Sequence, residues 1–235
     1  MSEIEMVHDH RDVQGGAARA AVFGISDGLV SNVGLILGVA AAEPTASTVI
    51  VAGVAGLLAG AVSMAAGEYV SVRAEAELVE RELTIERVSL TRHPEMEIEE
   101  LASIYRSRGI GAEQALELAA AVMEDPEVAL EVHAREELGV DPAHVGDPVR
   151  AAASSFVAFS IGAVLPLLPW FFGEGNVVVV VSVAVGLIAA AAVGVGLAHF
   201  TERSPLRTAA RQVGIAGLAC AVTYAIGSVV GVAIE

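Results

Sequence analysis

Five long apolar blocks constrain this chain more than any other feature of its sequence. Each is about 20 residues or longer, the length that an α-helix needs to cross the hydrocarbon core of a bilayer. They occupy residues 20–42, 48–67, 151–172, 177–199 and 213–234. The mean hydropathy is +0.64 although the chain has 29 acidic residues, so apolar residues are segregated into these blocks. The pattern predicts an all-α, polytopic membrane protein with five transmembrane helices.

The positions of the arginines predict the orientation, because basic residues that flank transmembrane helices favour the cytoplasm. Arg11 and Arg19 precede the first block, and Arg73 and Arg150 flank the insert between the second and third blocks. Further arginines lie between the fourth and fifth blocks, at Arg203, Arg207 and Arg211. The short links 43–47 and 173–176 contain no basic residue. The N-terminus and the insert are therefore predicted to be cytoplasmic, with the plasma membrane as the expected location in a prokaryote.

The insert at 68–147 is strongly acidic, with 20 of the chain's 29 Asp and Glu residues but only 7 of its 13 arginines. Helix formers continue without proline from 65 to 92, and further helices are predicted at 95–107, 112–123 and 126–138. The predicted organisation is a tail (1–17), transmembrane helices 1 and 2 (18–67), a cytoplasmic helical metal-binding domain (68–149) and transmembrane helices 3 to 5 (150–235). Adaptation of the protein surface to high salt would explain the excess of acidic residues in the insert as well as metal binding does.

Asp27 lies inside the first block, where a charged side chain costs about 2.5–3.5 kcal/mol on insertion scales. Burial favours its neutral acid and a bound cation favours its carboxylate, so it could alternate between a proton and a metal ion. Ser31 and Asn32 place further oxygens nearby, and the thioether of Met64 suits Fe(II) or Cu(I) better than Mg²⁺ or Ca²⁺. The competing interpretations are a protonated Asp27 bonded to a neighbouring helix and a Met64 that only fills space.

Pairs of potential ligands recur at helical spacing in the insert. Residues three or four apart share one face of a helix, so three predicted helices could each offer two ligands to one space. The pairs are Glu82 with Glu86, Glu97 with Glu100, and His133 with Glu137. Carboxylates with an imidazole suit Fe(II), Mn(II) or Zn(II). Each pair alone also fits a solvated acidic surface.

Several functional classes are excluded or disfavoured. The sequence has no phosphate-binding loop, no nucleophile elbow and no basic patch for nucleic acid, and we predict no prosthetic group. The single Cys220 cannot form an intrachain disulfide or a cysteine metal cluster. A tail cluster of His8, Asp9, His10 and Asp12 could touch a metal, but a disordered terminus is the simpler interpretation.

A transporter that alternates Asp27 between a proton and a metal ion is one interpretation of these residues. Two alternatives to it remain open at this point. A membrane-anchored metal-binding or ferroxidase-like protein would need Glu-x-x-His on paired helices. That motif occurs here only at Glu5 and His8. A membrane scaffold that binds partners through the insert would leave Asp27 unexplained.

Several motifs, taken in this order, resemble the vacuolar iron transporter family. They are Gly-Ile-Ser-Asp-Gly-Leu (24–29), Gly-Ala-Val-Ser-Met (60–64), Arg-Glu-Leu (81–83), Glu-Leu-Gly (137–139) and Pro-Leu-Leu-Pro (166–169). The resemblance implies a five-span homodimer that exports Fe(II), and often Mn(II), from the cytosol in exchange for protons. It also implies a cytoplasmic three-helix metal-binding domain and an ion path between the subunits, lined by the first span.

The resemblance also implies roles for individual residues. Asp27 and Met64 match the pathway aspartate and methionine of the family, and the matches in the metal-binding domain are Glu86, Glu97, Glu100 and Glu137. The chain departs from the plant-like pattern at Ser89 and Gly56, where that pattern has glutamates, and at His133 and Ala134, where it has methionines.

Overall fold

The computed structural model describes residues 16–42, 45–142 and 145–234, and these residues form helices without a β-strand. The described chain divides into two compact units. The membrane unit contains the residues up to Tyr69 and from Val149 onward, and the insert unit is Val70–Pro148. The tail cluster of His8, Asp9, His10 and Asp12 lies outside the described residues.

Long helices dominate the order of elements, and one of them contributes to both units. The elements are α1 (Gly16–Ala42), α2 (Ala46–Arg92), α3 (Pro94–Ser107), α4 (Ala112–Val122), α5 (Pro126–Glu136), α6 (Pro148–Val164), a 3₁₀ segment (Leu165–Phe171), α7 (Asn176–Thr201) and α8 (Pro205–Ile234). Helix α2 runs for 47 residues without a break. No proline or glycine follows Gly67 until Pro94, so nothing in its sequence interrupts the helix there.

Five helical segments are long and apolar enough to cross a membrane, as the apolar blocks predicted. They are Ala21–Ala42, the apolar part of Ala46–Arg92, Pro148–Phe171, Asn176–His199 and Pro205–Val230. The last begins eight residues earlier than the apolar block at 213–234, because α8 continues through the polar stretch that starts at Pro205. The prediction of an all-α protein with five such helices is confirmed.

Helix α1 lies at the centre of the membrane unit. Its residues Leu29, Val33 and Leu37 are almost completely buried. Leu29 packs with Ala190 of α7 and Ala216 of α8, while Val33 and Leu37 pack with Cys220 of α8. In lipid, such packing contributes van der Waals contact rather than a hydrophobic driving force.

Glycines allow the neighbours of α1 to approach it backbone to backbone. A Cβ atom at Gly28 would lie 2.2 Å from the carbonyl oxygen of Phe159 in α6. A Cβ atom at Gly227 in α8 would lie 2.0 Å from the carbonyl oxygen of Gly38. These contacts join helices of one chain, so Gly28 and Gly227 serve intrachain packing.

The third membrane segment changes from α-helix to 3₁₀-helix at Leu165. Pro166 and Pro169 have no backbone N–H, so they cannot donate to the carbonyls of the preceding turn. In a 3₁₀ turn the Pro166 carbonyl would accept a hydrogen bond from the backbone N–H of residue 169, but Pro169 has no N–H. The hydroxyl of Ser182 on α7 donates to that carbonyl instead, at 2.5 Å. The sequence predicted this block without the change in helix type.

The insert unit has a small core between α3 and α4. Leu101, Ala102 and Tyr105 pack against Ala115 and Ala119. Helix α4 begins at Ala112 as predicted, whereas α5 ends at Glu136, two residues before the predicted end. The turns that follow α3 and α5 contain glycines with positive φ, +92° at Gly109 and +67° at Gly139, a conformation that L side chains rarely adopt.

Candidate metal sites

An open cavity of about 380 Å³ lies within the membrane unit. It is lined by Asp27, Ser31, Asn32 and Met64, which are the residues that the sequence predicted for an ion pathway. The hydroxyl of Ser31 donates to Oδ1 of Asp27 at 2.9 Å. The cavity therefore combines a carboxylate, a hydroxyl, a carboxamide and a thioether, a donor set that a divalent transition metal can use.

One hydrogen bond holds the Asn32 side chain and leaves its carboxamide oxygen without a hydrogen-bond partner among the described residues. The side chain is 2% exposed, and its Nδ2 donates to the carbonyl oxygen of Ala163 in α6 at 2.6 Å. Because a carbonyl only accepts, this bond determines which end of the amide is nitrogen. Oδ1 has no hydrogen-bond partner among the described residues, and a Cβ atom at Gly56 would lie 3.1 Å from it. A buried acceptor without a partner is expensive unless water or a cation satisfies it.

One face of α2 forms the opposite wall of this cavity. Gly56, Gly60, Ser63 and Met64 all line it, and Phe159 of α6 lies beside them. The sequence reasoning missed Gly56, Gly60 and Ser63 as wall residues. Gly60 lies four residues after Gly56, three before Ser63 and four before Met64. This spacing is the signal that could have found them, because such residues share a helix face.

The insert unit brings together four predicted ligands from three helical regions. Glu86 of α2, Glu97 of α3, His133 of α5 and Glu137, directly after α5, each place one donor atom within 4.8 Å of the others. The Nδ1 atom of His133 lies 3.1 Å from Glu86, 3.7 Å from Glu97 and 3.9 Å from Glu137, measured to a carboxylate oxygen of each. Donors around a zinc-sized ion lie about 2.0–2.2 Å from the metal, so a small contraction would fit this set around one ion.

His133 distinguishes this cluster from a solvated acidic surface. Its side chain is 0% exposed, and neither ring nitrogen makes a hydrogen bond within the described chain. The Oε1 atom of Glu86 is also buried and without a hydrogen bond there. Buried polar groups are normally satisfied, and a metal ion held by these donors would satisfy Nδ1 of His133 and Oε1 of Glu86.

Burial and mutual repulsion set the protonation of the cluster. Burial raises the pKa of Glu86 to about 7, and the neighbouring carboxylates add to the rise, Glu137 most. Burial also raises the pKa of Glu137, with a further rise from Glu100 and Glu97. Burial lowers the pKa of His133 against the opposing effect of Glu97 and Glu100. A neutral imidazole is the form that ligates metal, and a cation bound near neutral pH would displace the proton of the Glu86 carboxyl.

Two of the predicted ligands lie outside this group of four. Glu100 is exposed and contributes through its charge, which raises the pKa of Glu86 and Glu137. Glu82 precedes Glu86 by one turn of α2, and its carboxylate pairs with Arg81 at 3.1 Å. Glu136, next to Glu137 in sequence, pairs with Arg108. The structure places His133 and Glu137 together in this group, whereas helical spacing alone did not separate Glu86 from Glu82.

Comparison with known proteins identifies the family. The model of the VIT family matches residues 18–228. This chain belongs to the VIT family. It is 33% identical over 220 residues to Vacuolar iron transporter 1 of Arabidopsis thaliana, across 92% of this chain and 87% of that protein. It is 31% identical over 220 residues to Vacuolar iron transporter 1 of Eucalyptus grandis, with the same coverage. The Vacuolar iron transporter of Acanthamoeba castellanii is 38% identical over 161 residues, across 68% of this chain and 58% of that protein.

The family match covers both candidate sites. Residues 18–228 contain the whole cavity in the membrane unit and the whole cluster in the insert unit. Together with the five apolar helices, membership of the VIT family makes this chain an integral membrane protein.

Proposed function

We propose that this VIT-family protein exports Fe²⁺, and also Mn²⁺, from the cytosol in exchange for protons. It acts as a secondary transporter and not as an enzyme. The observation that carries the proposal is the cavity of the membrane unit, where the Asp27 carboxylate meets Asn32 and Met64. The names of the relatives, all iron transporters, support iron as the cargo.

Asp27 is the proposed exchanging group. Either a proton or a cation would offset the cost of its carboxylate at membrane depth. Ser31 orients one of its oxygens, and Asn32 and Met64 supply neutral ligands that do not compete for protons near neutral pH. The thioether favours Fe²⁺ over harder ions such as Mg²⁺.

The cluster of Glu86, Glu97, His133 and Glu137 is the proposed loading site for the cargo. The surrounding acidic surface raises the local concentration of cations, and the buried His133 adds a nitrogen ligand that suits Fe²⁺, Mn²⁺ or Zn²⁺. Because the insert belongs to the same chain as the membrane unit, metal that it gathers stays with the transporter.

A homodimer is the proposed working form. Ser31 and Ser63 line the cavity and are exposed in the single chain, beside the half-buried Asp27. Polar groups at membrane depth normally face protein or a water-filled space rather than lipid. A second copy that covers the open side of the cavity would shield them and complete the ion path.

The proposed direction follows from the proposed orientation. The arginine pattern favours a cytoplasmic N-terminus and insert, and a loading site there would collect cytosolic metal. Protons from the other side of the membrane would then return through Asp27 as metal leaves.

Metal uptake into proteoliposomes tests the function. Purified protein is reconstituted, and Fe²⁺ (kept reduced), Mn²⁺ or Mg²⁺ is added outside, with and without an acidic lumen. We expect uptake of Fe²⁺ and Mn²⁺ that accelerates with the acidic lumen, and no uptake of Mg²⁺. Uptake that ignores the proton gradient would contradict the antiport mechanism, and the absence of any metal uptake would contradict transport.

A further inference from the structure

Ser89 contributes to the insert cluster without being one of its ligands. It follows Glu86 by three residues on α2, so both side chains occupy the same face of that helix. Its hydroxyl donates a hydrogen bond to Oε1 of Glu97 on α3. Helix α2 therefore offers the cluster one carboxylate and one hydroxyl that holds the carboxylate of another helix.

This bond gives the two oxygens of Glu97 different roles. Oε1 accepts from Ser89, while Oε2 lies 3.7 Å from Nδ1 of His133. A carboxylate with both oxygens free can chelate one ion or bridge two ions. A carboxylate with one oxygen in a hydrogen bond presents the other oxygen to a single ion. The buried position of Glu97 restricts its rotation further, since it is 6% exposed.

The remaining ligands fit one ion rather than two. Two-metal sites separate their ions by about 3.5–4 Å and need bridging ligands. Here all four donor atoms lie within 4.8 Å of one another, and the next carboxylate, Glu100, is not among them. The buried nitrogen of His133 faces the three carboxylates and leaves a single centre that all four donors can share.

We propose that Ser89 is a positioning residue that holds Glu97 as a one-oxygen ligand and so makes the cluster a site for one divalent ion with one nitrogen and three oxygen ligands from the protein. This rests on the proposed role of the cluster as the loading site for the transported metal. Residues that orient ligands typically affect metal affinity by about 10–100-fold.

Binding of Co²⁺ to the full-length protein in detergent tests the proposal. Co²⁺ serves as the probe because its visible absorption reports the number and geometry of its ligands. The variants are Ser89→Ala, Ser89→Thr, which keeps the hydroxyl, and His133→Ala, which removes the nitrogen ligand. Ser103→Ala is the matched control, since Ser103 is an exposed serine on α3.

We expect wild type to bind one more Co²⁺ per chain than His133→Ala. Ser89→Ala is expected to lower the affinity for that ion roughly tenfold and to change the absorption spectrum of the bound Co²⁺. Ser89→Thr and Ser103→Ala are expected to keep the wild-type affinity and spectrum. A purely structural role for Ser89 would lower stability without changing the spectrum of the bound ion.

Three results would overturn the proposal. If Ser89→Ala matches Ser103→Ala in affinity and spectrum, Ser89 does not position Glu97. If His133→Ala loses two ions per chain, the site is not a one-ion site. If wild type and His133→Ala bind equal numbers of ions, the cluster is not a loading site. This result differs from the first two, which overturn the role of Ser89 or the one-ion site and leave the loading role in place.

Discussion

The two units of the molecule place their candidate metal ligands under opposite conditions. In the membrane unit, Asp27 is the only acidic residue inside the apolar blocks, and it lies in a cavity with neutral ligands. The insert has 20 acidic residues, and only three of them belong to the group of four donors. Charge is scarce in one unit and abundant in the other, so charge density does not mark a site. Buried atoms without a hydrogen bond among the described residues, the ring nitrogens of His133 and Oε1 of Glu86, mark the candidate site in the insert, and Oδ1 of Asn32 gives the same signal in the cavity.

The two units also differ in how they pack. The membrane unit brings backbones together at glycines such as Gly28 and Gly227, where no side chain could fit. The insert unit packs Leu101 and Tyr105 against alanines of α4 in a small aliphatic and aromatic core. A soluble domain gains stability from removing apolar surface from water, whereas helices in lipid rely on close contact.

The largest expected effect is at Asp27. Asp27→Asn keeps the shape of the side chain but cannot exchange a proton for a cation, so metal uptake into proteoliposomes should be abolished. Binding at the insert cluster should stay unchanged. The matched control is Glu174→Gln, because Glu174 is an exposed carboxylate in the loop before α7. Normal uptake by Asp27→Asn would show that the carboxylate is not the exchanging group.

The next largest effect is at His133, where a substitution should weaken the insert cluster and leave the cavity intact. His133→Ala removes the buried nitrogen ligand, so metal affinity at the insert should fall by at least the roughly 10–100-fold that supporting residues contribute. Transport should become slower at low metal concentration and recover at high concentration, because the cavity is intact. Loss of transport at every metal concentration would mean that the insert is part of the transport path and does more than load it.

Packing in the membrane unit predicts a stability difference between two glycines. Gly28→Ala places a Cβ atom 2.2 Å from the backbone oxygen of Phe159, so it should destabilise the protein by about 1–3 kcal/mol through overpacking. Gly217→Ala in α8 is the control, because no described atom lies within 4 Å of its added Cβ. Thermal unfolding in detergent compares the two variants. Equal midpoints would contradict the backbone contact between α1 and α6.

The smallest expected effect is the pH dependence of the insert cluster. Because the pKa of Glu86 is raised to about 7, a metal ion must displace its proton at lower pH. Affinity should therefore fall as the pH drops below about 7, by at most about tenfold per pH unit for this one proton. The lowered pKa of His133 keeps the imidazole neutral over the upper part of this range. Glu86→Gln should bind more weakly and with a shallower slope, and an equal slope would assign the proton to another group.

The sequence predicted the helices well, because their signals are local. Five apolar blocks, Pro94, Gly109 and Gly139 are read directly from the chain, and each corresponds to a span or a helix boundary in the structure. The 3₁₀ segment was not predicted, although Pro166 and Pro169 lack a backbone N–H and so indicate an interrupted α-helix.

The candidate sites were predicted less completely, because they depend on contacts between distant segments. Glu82 and Glu86 are equivalent in helical spacing, and only the placement of α5 beside α2 selects Glu86 as the neighbour of His133. The hydrogen bond from Ser89 to Glu97 joins two helices across the break at His93 and Pro94. Spacing along one helix cannot predict such a contact.

The proposed exchange of protons for metal ions at Asp27 can be measured directly. The most direct test encloses a pH indicator in proteoliposomes and adds Fe²⁺ outside with no proton gradient imposed. The account predicts that the lumen becomes alkaline as metal enters wild-type vesicles, since protons leave in exchange, and that Asp27→Asn vesicles show neither change. Entry of metal with no change in luminal pH would contradict the exchange mechanism.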